Sequence, residues 1–414
     1  LHRSKPDPEL SRQALQAHKE KMRRKGKVLV VGAEENPALP IVESLYRKGL
    51  EVHVASHKRI CVGFFSRFVH ERFLYPSPYT NEQAFVECLS DHVRKQRFDV
   101  TFVTGDRATD LLASHRTLFT EHTSLPLVDL DRYVNCRDKT KTMKLAQRIG
   151  VPTPQTYYPE NKSLSELASK LAYPVVLKPN SSDGARGISY PQTAQELVCS
   201  YHKTVANYGP CHIQEYIPQT GMQYKAELLL DENSNVKAWC VYNKLRYYPP
   251  SGGSSTLNST VERKDILQSA ANILKALRWY GMGDCDFIED PRDGTAKLME
   301  INPRFTRSIK ICVLAGVDFP YLLYKLAVKE PFESVLDYRI GTFLRYLPAD
   351  INWFIKSKDR FKAAPKFFSG DGKKITDEIF SLKDPGPGIA FLFSKVLSRF
   401  DQRQQLYHFQ SSSA

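Results

Sequence analysis

The 414-residue sequence has no apolar run of the roughly 20 residues that a helix needs to cross a bilayer, so helical membrane spans are not expected. Its cysteines are few and scattered: Cys61, Cys88, Cys136, Cys199, Cys211, Cys240, Cys285 and Cys312 form no CxxC pair and no Cys/His cluster of zinc spacing. The first residues, LHRSKPDPEL, contain no apolar stretch of the secretory kind. Reduced thiols and a cytoplasmic location are the expectation. There is no HExxH or other metal-type histidine spacing, and no GxSxG elbow; Cys285 is expected to be packed rather than nucleophilic. Glycine is not gathered into GxxxxGK[ST] or GxGxxG, so neither a standard P-loop nor a dinucleotide fingerprint is present, and Gly32 alone makes no such site. No aromatic-basic signature of an RNA-binding module is seen, and nucleic acid is not an expected partner. Internal repeats and low-complexity tracts are also lacking.

What is present is ordinary for a folded protein: 42% apolar and 25% charged residues, enough for two or three domains. The net charge of +14 favours anionic partners such as nucleotides or phosphorylated substrates. Residues 1–26 read as a basic tail, whose cluster KEKMRRKGK is a solvated helix end. Residues 27–130 alternate short apolar strands (KVLVVGA, LEVHVAS, FDVTFVTG) with helical patterns, the signature of an α/β open parallel sheet. Residues 131–330 read as an α+β domain. Strands are expected at YPVVLKP, HIQEYIP, YKAELLLD and VKAWCVYNKLRYY, helices near 138–149, 194–207 and 263–280, and a hairpin joining GDCDFIED to AKLMEINPR. The glycine- and serine-rich segment 251–259 reads as a mobile loop, and 331–414 as an aromatic, basic, weakly periodic C-terminal extension.

The chemistry-bearing residues come in one order. Lys178 ends a buried strand immediately before a small-residue loop, 180–187, with Ser181, Ser182, Gly184 and Gly187; a cation and a flexible backbone then share one sheet end. An ordinary strand-turn explains this equally well. Gln214, Glu215, Tyr216 and Ile217 form an apolar strand before Pro218 whose edge could pair with a base, or be a plain edge strand. The strongest signal is downstream. Alternation puts Glu300 and Asn302 on one strand face, and the hairpin lets Asp286 face the same point. Three oxygen donors converging this way suit magnesium. The plainer alternative is a salt-bridged hairpin, with the carboxylates against Arg304; Arg307 is near.

The ordered set KPNSSDGARG, QEYI, GDCDF and MEINPR resembles the ATP-grasp superfamily, which includes biotin carboxylase, carbamoyl phosphate synthetase and D-alanine–D-alanine ligase. The likeness runs from about residue 28 to 328, and the stretch YPPSGGS at 248–254 is similar to a loop of its predicted carboxylate–amine ligases. The resemblance implies a pre-ATP-grasp domain followed by an ATP-grasp fold of two subdomains. It implies Lys139 and Lys178 on the α and β phosphates and the loop from Ser181 to Gly187 closing over them. Glu215 and Ile217 would meet adenine, and Gln223 the ribose, where an acidic residue is usual. Asp286, Glu300 and Asn302 would bind one or two magnesium ions, with manganese able to substitute; Asp286 is one methylene shorter than the usual Glu. Arg304 would stabilise an acyl phosphate, with Arg246 and the glycine loop near a carboxylate substrate and Arg307 close by. The implied activity is ATP-dependent coupling of a small carboxylate to an amine, in a homo-oligomer. The alternatives are carboxylation or carbamate chemistry and a non-catalytic nucleotide-binding module. Residues 388–400, GIAFLFSKVLSRF, are amphipathic and fit either packing on the core or contact with a membrane surface.

Overall fold

The computed structural model describes residues 26–159, 163–181, 186–250 and 253–400, without the side chains of 398–400. The expected basic tail, together with Ser182, Gly184 and the first glycine of the GGS loop, lies outside the described residues.

The chain begins with β1 (Lys27–Val31), α1 (Ala38–Arg47), β2 (Glu51–Ser56), β3 (Glu71–Leu74), α2 (Glu82–Gln96), β4 (Val100–Val103), α3 (Asp106–Ser114) and α4 (Arg116–Thr120). The four strands form an all-parallel sheet in the order β3-β2-β1-β4. Val28 to Val31 are fully buried, as strands covered on both faces require. Because β1 lies between β2 and β4, the chain reverses its direction of winding at β1. A crevice opens there, at the carboxyl ends of β1 and β4. Gly32 makes the crevice possible: its φ is +86°, and a Cβ would lie 2.4 Å from the carbonyl oxygen of Thr104.

Next come α5 (Leu130–Arg137), α6 (Lys139–Arg148), β5 (Thr156–Tyr157), α7 (Leu164–Lys170), β6 (Val175–Pro179), α8 (Ala194–Tyr208) and β7 (Cys211–Glu215). The antiparallel sheet β5-β7-β6 packs on α7 and α8 through Ala168, Leu177, Leu197 and Ile213. The rest of the chain supplies β8 (Gln223–Leu230), β9 (Val236–Tyr248), β10 (Ser254–Thr260), α9 (Lys264–Ala276), β11 (Gly281–Glu289), β12 (Ala296–Asn302), α10 (Lys310–Ala315), α11 (Phe319–Ala327), β13 (Phe343–Arg345), α12 (Leu347–Lys356), β14 (Ile375–Asp377) and α13 (Gly386–Phe400). Its strands build one seven-stranded sheet, β12-β11-β8-β9-β10-β13-β14. Even-numbered residues of β8 (Tyr224, Ala226, Leu228) pack beneath it with Ile266, Ala270, Ile273 and Leu274 of α9. The opposite face joins the first sheet: Leu229, Tyr242, Phe305 and Phe319 share a core with Val28, Ile41 and Phe102. The boundary expected near residue 130 is thus crossed by a continuous apolar core.

Two expectations are corrected. Residues 254–260 are a strand paired with β9 and β13, because serine and threonine side chains there are buried and bonded rather than solvated. The helix expected to reach residue 280 ends at Ala276. The weak periodicity of the C-terminal extension has its reason here: β13 and β14 lengthen the large sheet, and strands of three residues are too short to show a period of two. No helix among the described residues is long and apolar enough to cross a membrane. Ala390 packs inward on α13, while Ile389, Leu392, Phe393, Val396 and Leu397 are exposed.

The extension is fastened by a buried ion pair. Arg246 of β9 donates to Asp350 of α12 at 3.0 Å and to the carbonyl of Pro365, and its guanidinium lies 4.5 Å from the Trp353 ring centre. Removing one partner leaves the other charged in an apolar setting. Asp350→Ala is expected to lower unfolding free energy by about 3 kcal/mol in urea titrations, and Arg246→Met combined with Asp350→Leu to recover most of it. A single-variant loss below about 0.5 kcal/mol would show that the pair is effectively solvated.

Candidate active site

The site is a consequence of strand register. Across the large sheet, Glu300 of β12 lies opposite Asp286 of β11, which lies opposite Lys225 of β8. Two residues along, Asn302, Asp284 and Glu227 form a second row. Directly opposed residues share a face, so six polar side chains emerge together beside Gln223 and Lys244, themselves cross-strand partners.

Contacts within the rows are short. Lys225 Nζ lies 2.5 Å from Asp284 Oδ2 and 2.9 Å from Asp286 Oδ2; Lys244 Nζ is 3.0 Å from Asp286 Oδ1 and donates to Gln223 Oε1 at 3.3 Å. Asn302 Nδ2 donates to Asp284 at 2.8 Å and to Asp286 at 3.0 Å. Burial would raise the Asp286 carboxyl, but Lys225 and Lys244 outweigh it and hold it well below the usual range. Burial prevails at Asp284, which is raised despite Lys225. Glu227, buried and close to Asp284, is raised strongly; it accepts hydrogen bonds from Tyr242 and Thr306. One carboxylate oxygen each of Asp284, Asp286 and Glu227 is buried without a hydrogen-bond partner, that of Asp286 having only the Lys244 ion pair.

The small sheet supplies cations. Asp138 caps α6 by accepting from the backbone of Thr140 and Lys141, which sets Lys139 on the first turn. Lys139 N donates to the Asn180 carbonyl at the end of β6, and Lys139 Nζ lies 3.6 Å from Glu300 Oε2. Lys178 of β6 is buried; burial lowers its ammonium to about 8, against a raising influence from Glu300 and a lowering one from Lys139. His212, opposite Lys178 on β7, is held to about 3 by burial and by Lys178 and Lys139. Its Nδ1 is 3.0 Å from Asn180 Oδ1, and its Nε2 is buried without a hydrogen-bond partner.

The structure thus brings together Lys139, Lys178, Gln223, Asp286, Glu300 and Asn302. Arg304 stands close enough to feel the Asp284 charge but is held by Asp106, while Arg246 and Arg307 are held by other partners. Arg304 makes a bidentate pair with Asp106 at the crevice of the first sheet, Nε–Oδ1 2.5 Å and Nη2–Oδ2 2.8 Å. Arg246 is buried and held by Asp350 at 3.0 Å. Arg307 pairs with Glu378 at 3.2 Å and lies over the Tyr346 ring at 4.5 Å. Nor is 214–217 an edge strand. β7 is the central strand of its sheet, so the backbones of Gln214 and Glu215 are in ladders, and only Tyr216 and Ile217 run beyond them. The Glu215 carboxylate is bound by Lys297 at 2.9 Å and Arg292 at 2.8 Å. Ser181 is exposed beyond β6, and Gly187, φ +74°, closes the same loop.

Lys225, Glu227, Lys244, Asp284 and His212 were not read as site residues from the sequence. The signal was available for three of them: YKAELLLD alternates Lys225 and Glu227, and GDCDF alternates Asp284 and Asp286. The donor set fits a hard cation, since Glu300 and Asn302 offer oxygens on one face and Glu300 is part-exposed. Among the described residues no three His, Cys, Asp or Glu side chains stand at metal-holding distance.

Residues 138–335 match the family described as carbamoyl-phosphate synthase L chain, ATP binding domain. A D-aspartate ligase of Enterococcus faecium is 22% identical over 58% of this chain and 62% of its own length. The C-terminal section of a carbamoyl phosphate synthase large chain from Methanopyrus kandleri is 23% identical over 50% of this chain and 40% of its own. The chain therefore spans less than two thirds of either curated relative. Among solved structures, the biotin carboxylase domain of Hydrogenobacter thermophilus 2-oxoglutarate carboxylase aligns with a TM-score of 0.65 at 16% identity, covering 77% of this chain and 74% of that one. The L-amino acid ligase of Bacillus licheniformis aligns at 0.59 and 20% identity, covering 75% and 76%. These likenesses establish a shared fold.

Lys178 gives the site a pH signature. An exposed lysine keeps its proton past pH 10, but Lys178 loses it as pH rises through about 8. A neutral amine cannot offset anionic charge. Affinity for a nucleoside triphosphate, measured by calorimetry, is expected to be flat below pH 7.5 and to fall by up to about tenfold per unit above 8. Lys178→Arg is expected to remove that decline; a decline that persists in the variant assigns it to another group.

Proposed function

We propose, from the match of residues 138–335 to a carbamoyl-phosphate synthase ATP binding domain, that the chain is of the ATP-grasp kind: an ATP- and magnesium-dependent ligase that activates a small carboxylate as an acyl phosphate and couples it to an amine. The observation that carries this reading is the convergence of Lys139 and Lys178 from the small sheet on Glu300 of the large one. Two sheets presenting cations and oxygen donors to one cleft suit a metal-bound triphosphate.

Lys139 and Lys178 hold the phosphates, with Ser181 and Gly187 beside them. Tyr216 and Ile217, beyond the last ladder bond of β7, offer backbone groups to adenine, and Gln223 a side-chain amide to ribose. Glu300 and Asn302, with Asp286 beside them, would hold magnesium, which when bound offsets charge on the transferring phosphoryl group. A carboxylate oxygen attacks the γ-phosphorus and ADP leaves. The amine nitrogen then attacks the acyl carbon, the C–O bond to phosphate breaks, and the nitrogen gives up a proton. Arg304 reaches the acyl phosphate from the crevice between β1 and β4. The alignment with an L-amino acid ligase and the partial likeness to a D-aspartate ligase favour an amino acid as one substrate. The outward stripe of α13, with Lys395 beside it and a net charge of +14 on the chain, favours contact with an anionic lipid surface.

A panel of amino acids and other acids, incubated with ATP, magnesium and hydroxylamine, is expected to yield a hydroxamate and ADP with at least one acid. ADP release without hydroxamate from any acid would remove the acyl phosphate. Glu300→Ala is expected to lower turnover by a factor on the order of 100 or more. Co-sedimentation with phosphatidylserine vesicles is expected to fall when Leu392 and Phe393 are both changed to Ser; equal recovery with and without vesicles would rule out the lipid contact.

A further inference from the structure

The two ends of the Asn302 amide face different neighbours. Its Nδ2 donates to Asp284 and to Asp286, which turns Oδ1 away from both aspartates. Glu300, on the same strand face, is also set apart from them: its ion-pair partner is Lys139 at 3.6 Å, and 40% of its side chain is exposed. Asp286 Oδ2 takes Lys225 and Asn302, while its Oδ1 is buried without a hydrogen bond and has the Lys244 ammonium 3.0 Å away as an ion pair. Asp284 is fully buried and takes Lys225 at 2.5 Å. Two carboxylates therefore share one buried ammonium; Asp284 Oδ1 is buried without a partner, and the solvent-reachable oxygen donors left for a hydrated cation lie on the Glu300 side.

Building on the nucleotide–metal reading of this site, we propose that Lys225 is a positioning residue whose ammonium takes the second cation place at the carboxylate cluster, so that a single divalent ion binds per chain, on Glu300 and Asn302 Oδ1. A divalent ion bonded to Asp286 would stand within a few ångströms of two ammonium groups, where like charges repel with little water to screen them. Lys225 lacks an easy way out: its side chain is 13% exposed and bounded by Asp284 and Asp286. Magnesium keeps several of its waters and needs few protein oxygens, so Glu300 and the Asn302 carbonyl suffice alongside phosphate oxygens. Asp286 then acts through Asn302, fixing which end of the amide points to the metal.

The test counts manganese bound per chain by electron paramagnetic resonance, with the full chain saturated by the non-hydrolysable analogue AMP-PNP. The wild-type protein is expected to bind one ion per bound nucleotide, and two would overturn the proposal. Lys225→Met is expected to raise the count to two by vacating the second place. A count of one in a folded Lys225→Met protein overturns the role of Lys225. Lys225→Arg, which keeps the charge, is expected to stay at one; a rise to two in it would also overturn that role. The wild-type count is decisive even where Lys225→Met does not fold. Failure of manganese to bind with AMP-PNP at all would instead remove the nucleotide–metal reading, and the proposal with it.

Discussion

Two aspartates two residues apart on one strand face, both buried in the large sheet, repel each other and lose hydration that burial does not return. Lys225 resolves this by entering between them from the neighbouring strand. The pairing works in one register only. A slip of one residue between β8 and β11 would turn Lys225 to the opposite face, among Tyr224, Ala226 and Leu228, and leave the aspartates facing apolar chain. The ion pair and the apolar face beneath it therefore specify the same alignment, and the placement of Glu300 and Asn302 follows from it.

The small sheet meets this cluster through a second set of constraints. Asn180 accepts from Lys139 N and Thr140 Oγ1 and contacts His212, so the start of α6, the end of β6 and the middle of the sheet are tied at one point. Lys139 and Lys178 are held close enough to influence each other, a cost that persists because Glu300 lies across the cleft. An anion that joined them would relieve the repulsion, which is the electrostatic condition for a phosphate site.

Much of this was legible in the sequence. Alternation in LMEINPR correctly placed Glu300 and Asn302 on one face, and the apolar run before Gly32 correctly announced a buried parallel strand. What was missed follows from physics that one segment does not contain. Lys225 and Asp284 become partners only through pairing of β8 with β11, more than fifty residues apart in the chain. The partners that bury Arg246, Asp350 and Trp353, arrive from an extension with no clear period, so its ion pair was not legible. Glu215 to Ile217 read as an edge because β5, which covers β7, has only two residues. The glycine- and serine-rich segment 251–259 read as mobile because the burial of its later residues comes from β9 and β13 on either side.

The bidentate pair between Arg304 and Asp106 joins the large sheet to the crevice of the first. Any acid that recruits Arg304 must take it from a partner that already satisfies two of its N–H groups. A ligand offering a single oxygen exchanges two charge-assisted bonds for one and gains little, whereas a planar carboxylate or a phosphate can replace the fork in full. Asp106 therefore sets an entry threshold for the guanidinium. Once displaced, its own carboxylate keeps Arg137 as an ion-pair partner and Lys139 as a nearby cation. Selection at this point is a competition between two anions, decided by geometry as much as by charge.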